Sequence, residues 1–513
     1  MQTTSSASAG WRAASGHHAT TAAAVEVLEA GGNAADAAIA AAFSATVAEP
    51  LLCSVGGGTH AVVHRRGRAP VALDAFVHTP RRRRSSDLDF YPITGDFGPD
   101  TQEFHVGMAA IATPGMLAGI EALHERHGSM PLKELVAPAA RLARAGVELN
   151  EIQHYTLRIL EPIVRASNGS ARLFGMRDRR DRLPGLGAHL HNPDLADFLE
   201  QLGRSGCGWF YRGEPALRLA RDAAEFGGHL GPDDLTRYRA RWRRPLAWNY
   251  RGSRIWSTPP PAFGGAMLAL ASSLLESHLP AGSTFGSAAH LEALTRAMAE
   301  SESLRRHLER PETLHCERTL ARSLRELLDG GPQAARGTTQ ISIDDGCGLA
   351  VSMTLSNGEG SGYVLPGTGV MLNNMLGEED INRAGFHAWP ANRRLASMMA
   401  PMILARGDSR YLLGSGGSNR IRTALAQVIC NLVDFDMPLA AAVEAPRMHL
   451  EAGRLGIEMP PDGWPPATGD WLDAHFPGAN RWPGLNMYFG GVHAVGPDGG
   501  AADPRRMGAA ARA

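Results

Sequence analysis

The sequence predicts a fold of the α+β class, and three observations support this prediction. Residues 337–362 show the alternating pattern and the central glycines of a tight β-hairpin. Residues 132–146, 192–203 and 286–309 repeat apolar side chains at spacings of three and four, which is typical of amphipathic helices. The length of 513 residues suggests roughly two to four domains, but it also allows a single large layered unit of strands and helices.

The first elements of the chain are predicted to be two packed helices and a pair of strands. Residues 20–30 form a helix that ends at a glycine pair, and Asn33 caps an Ala-rich helix over residues 34–48. This second helix is too short for a membrane span and contains an aspartate, so we expect it to be buried. Residues 59–64 and 71–76 follow as two strands joined by a turn.

Two further elements follow the hairpin, namely a strand over residues 370–372 and a helix after Gly416 and Gly417. The apolar face of this helix is formed by Ile421, Leu425, Val428 and Leu432. Backbone N–H groups at a helix N-terminus are unpaired, and glycines let an anionic oxygen approach them. The pattern therefore indicates an oxyanion-binding turn. A simple N-cap at Ser418 is the alternative, and the two interpretations are compatible.

Composition and charge exclude several classes of function. A net charge of -1 provides no general attraction to nucleic acid or to an anionic membrane. The five cysteines are odd in number and lack the spacing of a metal site, which fits a reducing compartment. The first 20 residues contain no apolar stretch behind a basic start, so we predict no signal peptide and expect a cytoplasmic location.

Thr338 stands at the open end of the predicted hairpin. If the apolar residues share one face, Ile343 lies opposite Val351, and the same register places Thr338 opposite Ser356. A cut before Thr338 would free an α-amino group with a pKa of about 7.7 to 8.0, a general base beside the nucleophilic hydroxyl. Gly337 suits such a cut because glycine tolerates a strained backbone. Taken alone, however, Gly-Thr-Thr is also an ordinary entry into a strand.

The segment around Thr338 resembles the start of the small subunit of the γ-glutamyltransferase family, whose members are N-terminal-nucleophile hydrolases that cleave themselves before a threonine. The resemblance extends over most of the chain in ordered blocks, which are GGNAADAAIAAAFSATVAEP at 31–50, SVGGGTH at 54–60, TPGMLAG at 113–119, TPPPAFGG at 258–265, PGTGVMLNN at 366–374, LASMMAP at 395–401 and GSGGSNRIRTALAQVICNLVDF at 414–435. It implies a four-layer αββα sandwich. It also implies self-cleavage into residues 1–337 and 338–513, two fragments that remain interleaved in one folded heterodimer.

The resemblance assigns the chemical steps to a small group of residues. Thr338 is the implied nucleophile, and Ser356 orients its hydroxyl or its amine, with Asn357 and Thr339 as supporting polar groups. The backbone N–H groups of Gly416 and Gly417 are the implied donors to the oxyanion, and each such donor is worth about 3 to 4 kcal/mol in other enzymes. No metal or organic cofactor is implied.

For substrate binding, the resemblance implies one acidic residue and a pair of serines. Glu378 is our choice for the acid that holds the α-amino group of the substrate, with Glu379 as the second choice because loop lengths differ. Ser397 corresponds to the first serine of the pair that binds the α-carboxylate. The expected substrate is a small amino-acid-like or peptide amide.

Several positions depart from the pattern of the family. Phe76 stands where the family has an arginine that clamps the α-carboxylate, and an apolar ring cannot form that bidentate contact. Met398 replaces the second serine, and Gln340 replaces the usual histidine. Either the basic residues 81–84 or the pair 393–394 provide a clamp from a new direction, or the acyl group is not γ-glutamyl.

The leading hypothesis is a self-processing threonine hydrolase or acyltransferase that cleaves a γ-glutamyl-like amide and passes the acyl group to water or an amine. The first alternative is a family member recruited to natural-product biosynthesis, which cleaves a different amide or a carbon–carbon bond beside a carbonyl. Phe76 and Met398 favour this alternative. The third hypothesis, an uncleaved and inactive binding protein, is disfavoured by the presence of Thr338 and Ser356.

Overall fold

The computed structural model describes residues 10–96, 101–175, 182–307, 337–378, 381–382 and 385–513. The strands are β1 Arg12–Ser15, β2 Gly58–Arg65, β3 Val71–Ala75, β4 Tyr91–Asp96, β5 Thr101–Val106, β6 Val147–Glu148, β7 His189–Leu190, β8 Arg241–Arg243, β9 Leu246–Tyr250, β10 Ser253–Ser257, β11 Thr339–Asp344, β12 Leu349–Ser356, β13 Val364–Leu365, β14 Val370–Met371, β15 Met402–Arg406, β16 Ser409–Gly416, β17 Met448–Glu451, β18 Arg454–Glu458, β19 Asn480–Trp482, β20 Gly491–Gly496, β21 Gly499–Ala502 and β22 Ala509–Arg512.

The helices are α1 His18–Glu29, α2 Ala34–Ala48, α3 Met116–His127, α4 Leu132–Ala145, α5 Glu151–Ile159, α6 Glu161–Val164, α7 Asn168–Phe174, α8 Pro193–Ser205, α9 Gly208–Arg212, α10 Glu214–Glu225, α11 Pro232–Thr236, α12 Gly264–His278, α13 Ala288–His307, α14 Arg420–Val433, α15 Leu439–Glu444 and α16 Pro466–His475. None of those within the described ranges has both the length and the apolar character that a membrane span requires.

Two antiparallel sheets form the centre of the described structure. The larger has seven strands in the order β22-β1-β11-β12-β2-β3-β8, and the smaller has six in the order β21-β20-β16-β15-β10-β9. Strands from either side of Gly337 are neighbours in both sheets, since β11 pairs with β1, β12 with β2 and β15 with β10. The two parts of the chain that meet at Gly337 therefore belong to one folded unit.

Buried hydrogen bonds join the two sheets face to face. Ser342 Oγ on β11 donates to His493 O on β20 at 2.9 Å, and Ser352 Oγ on β12 donates to Leu413 O on β16 at 2.8 Å. Both serines are fully buried. The polar positions of the hairpin therefore line the space between the sheets, where each hydroxyl is paired because an unpaired buried polar group is costly.

The outer faces of both sheets are covered by helices. All of α2 is buried, and it packs on the larger sheet in one apolar cluster with Ile341, Ile343 and Val351. On the smaller sheet, α12 and α14 form a second apolar cluster with strands β9, β10, β15 and β16. Each sheet is thus apolar on its helix-covered face and more polar where the sheets meet.

The sequence predictions for the individual elements are confirmed, with shifts of a few residues at their ends. Ile343 pairs with Val351 and Thr339 with Leu355, so the next pair of that register is Thr338 and Ser356. The helices predicted at 20–30, 132–146, 192–203 and 286–309 are observed as α1, α4, α8 and α13. Asn33 caps α2, and its side chain accepts hydrogen bonds from Ala35 N and Asp36 N.

Removal of the Ser352 hydroxyl is expected to destabilise the protein through the contact between the sheets. Ser352 Oγ donates to Leu413 O and accepts hydrogen bonds from Met402 N at 3.2 Å and Gln340 Nε2 at 2.9 Å. Ser352→Ala removes all three buried hydrogen bonds, although Gln340 Nε2 keeps its bonds to Ile341 O and Ser342 Oγ. The loss lowers the free energy of unfolding by about 1 to 3 kcal/mol. Denaturant unfolding measures the change. The exposed Ser277→Ala is the control and shifts by less than about 0.5 kcal/mol; equal shifts in the two variants would contradict this prediction.

Candidate active site

Thr338 lies in a buried position directly before β11, with 1 % of its surface exposed. Its Oγ1 is 3.5 Å from Ser356 Oγ, at the outer limit of a hydrogen bond. The hydroxyl of Ser356 donates in turn to the carbonyl oxygen of Gly337. One serine therefore contacts both the candidate nucleophile and the carbonyl of the peptide bond that precedes it.

Only glycine fits at position 337, because neighbouring backbone atoms leave no room for a side chain. A methyl group built on its Cα would lie 1.8 Å from Gly358 O and 3.0 Å from Leu51 O. The backbone of Gly337 is not left-handed, so close packing, rather than the strain we expected, explains the glycine. Any side chain at this position would displace the carbonyl that Ser356 contacts.

Thr339 faces away from Thr338, because successive residues of a strand point to opposite sides. Its Oγ1 donates to Glu49 Oε2 at 3.0 Å, just beyond the C-terminal end of α2. Burial raises the pKa of Glu49 to about 7, although the bond from Thr339 and the charge of Arg506 act in the opposite direction. Glu49 is therefore a buried carboxyl that titrates near neutral pH, directly behind the candidate nucleophile.

Arg506 contacts the backbone of the same segment. Its Nη1 donates to Thr338 O at 3.3 Å. The preceding Asp503 and Arg505 hold it in place, since Asp503 pairs with Arg447 at 2.7 Å and with Arg505 at 3.1 Å. Arg505 also binds Glu458, with 2.8 Å between Nε and Oε1. This buried set of charges fixes the C-terminal part of the chain against Thr338.

Glu378 lies beside the end of the hairpin. A methyl group built on Gly358 would be 2.2 Å from Glu378 Oε1 and 2.1 Å from Asn374 Oδ1, so both side chains abut Gly358, two residues after Ser356. Asn357 is fully buried, and no described residue donates a hydrogen bond to its Oδ1. The second choice for the substrate-binding acid, Glu379, lies outside the described residues.

A small cavity borders the candidate nucleophile. Its volume is about 10 Å³, roughly the room that one water molecule needs. The lining residues are Phe76, Thr338, Ser356, Ile381, Ser397, Met398, Met399 and Ile421. The buried Ser397 Oγ has no hydrogen-bond partner among the described residues, so it is available to a ligand. The structure thus brings Phe76, Ser397 and Met398 together with Thr338 and Ser356.

None of the arginines expected to replace the carboxylate clamp lines this cavity. Arg394 pairs with Asp74 at 3.2 Å, donates to Arg239 O at 2.8 Å and lies over the ring of Tyr238. In the basic run 81–84, Arg84 donates to Ala224 O and Arg83 to His387 O. Their contacts lie with other parts of the protein, so the described cavity remains without a cationic side chain.

Gly416, the last residue of β16, lies against the backbone of the candidate nucleophile, and Gly417 follows it. A methyl group on Gly416 would be 2.2 Å from Thr338 O, and Gly417 has a left-handed φ of 119°. The N-cap of α14 is Asn419, and Ser418 has a left-handed φ of 61°, so the alternative of a Ser418 cap is wrong. Within the described part of the chain, the Gly417 N–H donates to no backbone carbonyl.

Sequence reasoning missed Glu49 and Arg506. A single signal could have pointed to Glu49, since it is the charged residue that follows an otherwise apolar, Ala-rich helix. No pattern in the sequence around Arg506 points to a role at this site. Within the described ranges, no group of three or more His, Cys, Asp or Glu side chains is arranged to hold a metal ion.

Comparison with known proteins identifies the relatives of this chain. A family model described as Gamma-glutamyltranspeptidase matches residues 20–513. The chain is 28 % identical to the Glutathione hydrolase proenzyme of Escherichia coli (strain K12), over 94 % of this chain and 88 % of that protein. It is 30 % identical to the Acylase ACY 1 proenzyme of Pseudomonas sp. (strain SE83), over 92 % and 88 %. Among solved structures, the cephalosporin acylase from Bacillus halodurans has a similar fold, with a TM-score of 0.79, 24 % identity and coverage of 98 % and 96 %.

The titration of Glu49 is expected to make stability depend on pH. Its pKa is raised from 4.5 to about 7 in the folded protein, so the folded state holds a proton that the unfolded state has released. The stability of the wild type relative to Glu49→Gln is therefore highest below pH 4.5 and falls by about 3 kcal/mol as the pH rises to 7. Denaturant unfolding of both proteins from pH 4.5 to 8 measures this difference.

An exposed glutamate provides the control for this measurement. Glu225→Gln makes the same chemical change at the end of α10, where the side chain is solvent-exposed, and its stability should follow the wild-type curve. Parallel curves for the wild type and Glu49→Gln would show that Glu49 does not titrate in this range.

Proposed function

The chain belongs to the gamma-glutamyltranspeptidase family, and we propose that it is a self-processing threonine hydrolase and acyltransferase. It would cleave a γ-glutamyl-like amide through an acyl intermediate on Thr338 and transfer the acyl group to water or to an acceptor amine. The names of the relatives support this reaction class, since they are a hydrolase and an acylase that are both described as proenzymes.

One observation carries the proposal, namely the arrangement of Gly337, Thr338 and Ser356. The Thr338 hydroxyl is buried 3.5 Å from Ser356 Oγ, and Ser356 donates to the carbonyl of the preceding glycine. A hydrogen bond to a carbonyl oxygen favours the negative charge that develops there during nucleophilic attack. The three groups that self-cleavage needs are therefore adjacent in the folded chain.

In the proposed self-cleavage, Thr338 Oγ attacks the Gly337 carbonyl carbon. The bond from that carbon to Thr338 N breaks, nitrogen takes up the proton that oxygen loses, and an ester replaces the amide. Water then hydrolyses the ester, so Gly337 ends in a carboxylate and Thr338 regains its hydroxyl beside a free α-amino group. Residues 1–337 and 338–513 would stay together, since each of the two central sheets contains strands from both fragments.

In the proposed turnover, the free amine of Thr338 acts as the general base. It takes the proton from Oγ as Oγ attacks the amide carbonyl of the substrate, and it then protonates the leaving amine. The N–H groups of Gly416 and Gly417 would bind the oxyanion, since Gly416 lies against the backbone of Thr338 and Gly417 follows it directly. Water or a second amine would release the acyl group from Thr338.

For the fold, we infer the four-layer αββα sandwich. Two facing sheets, with helices on the outer face of each, support this arrangement. The similarity in fold to a cephalosporin acylase, at a TM-score of 0.79, agrees with it.

For the acyl group, we infer that recognition depends on an amino group more than on a carboxylate. Glu378 abuts the end of the hairpin and would attract a substrate ammonium. Phe76 and Met398 line the cavity at the positions where the resemblance implies carboxylate-binding side chains, and Ser397 alone offers a hydroxyl. A carboxylate in this cavity would lose its hydration without gaining a cationic partner.

Self-cleavage is tested by the mass and the N-terminal sequence of the purified protein. The wild type is expected to yield two fragments, of which the smaller begins at Thr338. Thr338→Ala should remain one chain of 54.6 kDa and lose about 1,000-fold or more in amidase activity, because it lacks the nucleophile. Thr338→Ser keeps a hydroxyl and should still cleave itself.

The exposed Thr284→Ala is the matched control for Thr338→Ala and should cleave as the wild type does. A single intact chain in the wild type under all conditions would contradict the threonine-hydrolase mechanism. The hypothesis of an inactive binding protein would then take its place.

The acyl preference is tested with three p-nitroanilides of similar length, which carry a γ-glutamyl, a glutaryl or a 4-aminobutyryl group. Loss of the amino group, as in glutaryl, is expected to lower kcat/KM by about 10- to 100-fold, because a charge-assisted bond to Glu378 is lost. Loss of the carboxylate, as in 4-aminobutyryl, should lower kcat/KM by less than about 3-fold. In Glu378→Gln, kcat/KM for the glutaryl compound should be nearly equal to kcat/KM for the γ-glutamyl compound.

A larger decrease in kcat/KM on loss of the carboxylate than on loss of the amino group would contradict the inferred recognition. Turnover of other acyl amides in preference to all three compounds would instead favour a family member with a different substrate. Steady-state kinetics at one pH, where the substrate amines are protonated, provides the measurement.

A further inference from the structure

A second cavity, of about 80 Å³, borders Gly337 and Gly417. Its lining also includes Arg420, Arg506 and Tyr488. The proposed reaction does not use Arg420 or the ring of Tyr488. The cavity adjoins the bond that self-cleavage would break, so whatever it binds would lie next to the reacting atoms.

Arg420 is a buried cation that forms no direct ion pair with a described residue. It is 6 % exposed, its Nε has no hydrogen-bond partner, and no carboxylate of the described residues lies within 4 Å of it. Its guanidinium lies over the Tyr488 ring, 4.2 Å from the centroid. It is also the first residue of α14, at the positive end of the helix dipole, where a cation is disfavoured and an anion is favoured.

Arg506 brings a second guanidinium to the same cavity. It is 5 % exposed, and its Nε likewise has no partner in the described part of the chain. No carboxylate of the described residues lies within 4 Å of it, although Glu49 acts on it from a longer distance. Two buried guanidinium groups thus converge where the local protein supplies no direct ion pair.

Two carboxylates near this site form other contacts, and one of them, Glu451, also acts on Arg420 through its charge from beyond ion-pair distance. Glu359 lines the cavity, and its Oε2 is 3.5 Å from Asn374 Nδ2. Glu451 accepts a hydrogen bond from Asn419 Nδ2 at 2.8 Å and lies 3.4 Å from His449 Nε2. A buried charge is costly unless it is paired, so an added carboxylate would relieve the cost at both arginines.

We propose that this cavity binds the carboxylate of the amine part of the substrate, either the amino acid that leaves or the amino acid or peptide that accepts the acyl group. The inference rests on the proposed function, which places the acyl group on the side of Thr338 that carries Phe76, Ser397 and Met398. An amide joins its acyl and amine parts at the carbonyl that Thr338 attacks, so the amine part extends into the remaining space. Arg420 and Arg506 form the carboxylate site, and the planar guanidinium suits that bidentate contact.

The test compares two amides that share one acyl group, γ-glutamyl-alanine and γ-glutamyl-alaninamide, which differ only in the carboxylate of the amine part. In the processed wild type, kcat/KM should be at least 10-fold higher for γ-glutamyl-alanine, mainly through KM. In Arg420→Gln this ratio should fall to about 2, and Arg420→Lys should restore part of it because the positive charge returns. Arg454→Gln removes an exposed arginine from β18 and should keep the wild-type ratio.

Two outcomes would overturn the inference and leave the proposed function standing. One is equal kcat/KM for the two amides in a wild type that also hydrolyses γ-glutamyl-p-nitroanilide. The other is an Arg420→Gln variant that changes the preference among acyl groups and leaves the ratio for the amine part as it was. Turnover of no amide by a processed protein would count against the proposed function itself.

Binding provides a readout that does not depend on turnover. Isothermal titration of the Thr338→Ala protein should show alanylalanine binding at least 10-fold more tightly than alanylalanine amide, and Thr338→Ala with Arg420→Gln should lose this difference. Equal affinities for the two peptides would overturn the inference even if the enzyme were inactive.

Discussion

The contact between the two sheets is the constraint on which the rest of the structure depends. The side chain of Gln340 shows that the polar groups between the sheets are hydrogen-bonded. Its Nε2 donates to Ser342 Oγ at 3.0 Å and to Ser352 Oγ at 2.9 Å, and its Oε1 accepts a hydrogen bond from Thr354 at 2.6 Å. A shift of one residue in β11 would place apolar side chains in this polar layer and polar ones under α2. The register that pairs these groups also places Thr338 beside Ser356.

The candidate site is built from charges that the protein keeps out of water. Arg447, Asp503, Arg505 and Glu458 are almost completely buried and pair with one another. Buried pairs of this kind contribute little net stability, because desolvation offsets the attraction between the charges. Their geometric effect is more definite, since they hold Arg506 against the backbone of Thr338. On the opposite side of the strand, Glu49 binds Thr339, so the segment that carries the nucleophile is held by its backbone and by a neighbouring side chain.

The residues around Thr338 belong to two different parts of the structure. Groups that contact Thr338, such as Ser356 and the turn at Gly416, belong to the sheet framework and cannot vary without disturbing it. Phe76 belongs instead to a separate apolar cluster and stacks on His60, with 5.5 Å between the ring centroids. An arginine at position 76 would bring a charge into this apolar cluster, so a change of substrate at this point would require repacking around it.

The sequence by itself determined that the fold combines strands and helices, the register of the hairpin and the position of Thr338 opposite Ser356. These features depend on the alternation of neighbouring residues, which is a local property of strands and helices. The resemblance to the γ-glutamyltransferase family pointed to Gly416, Gly417 and Glu378 as further candidate site residues. The tertiary structure brings these residues to the end of the hairpin. Only the tertiary structure decided that Glu49, Arg420 and Arg506 surround the same site, since they lie far apart in the chain and their burial and pairing depend on long-range packing. The balance between desolvation and attraction at such groups is set by distances in space, and no spacing along the sequence encodes them.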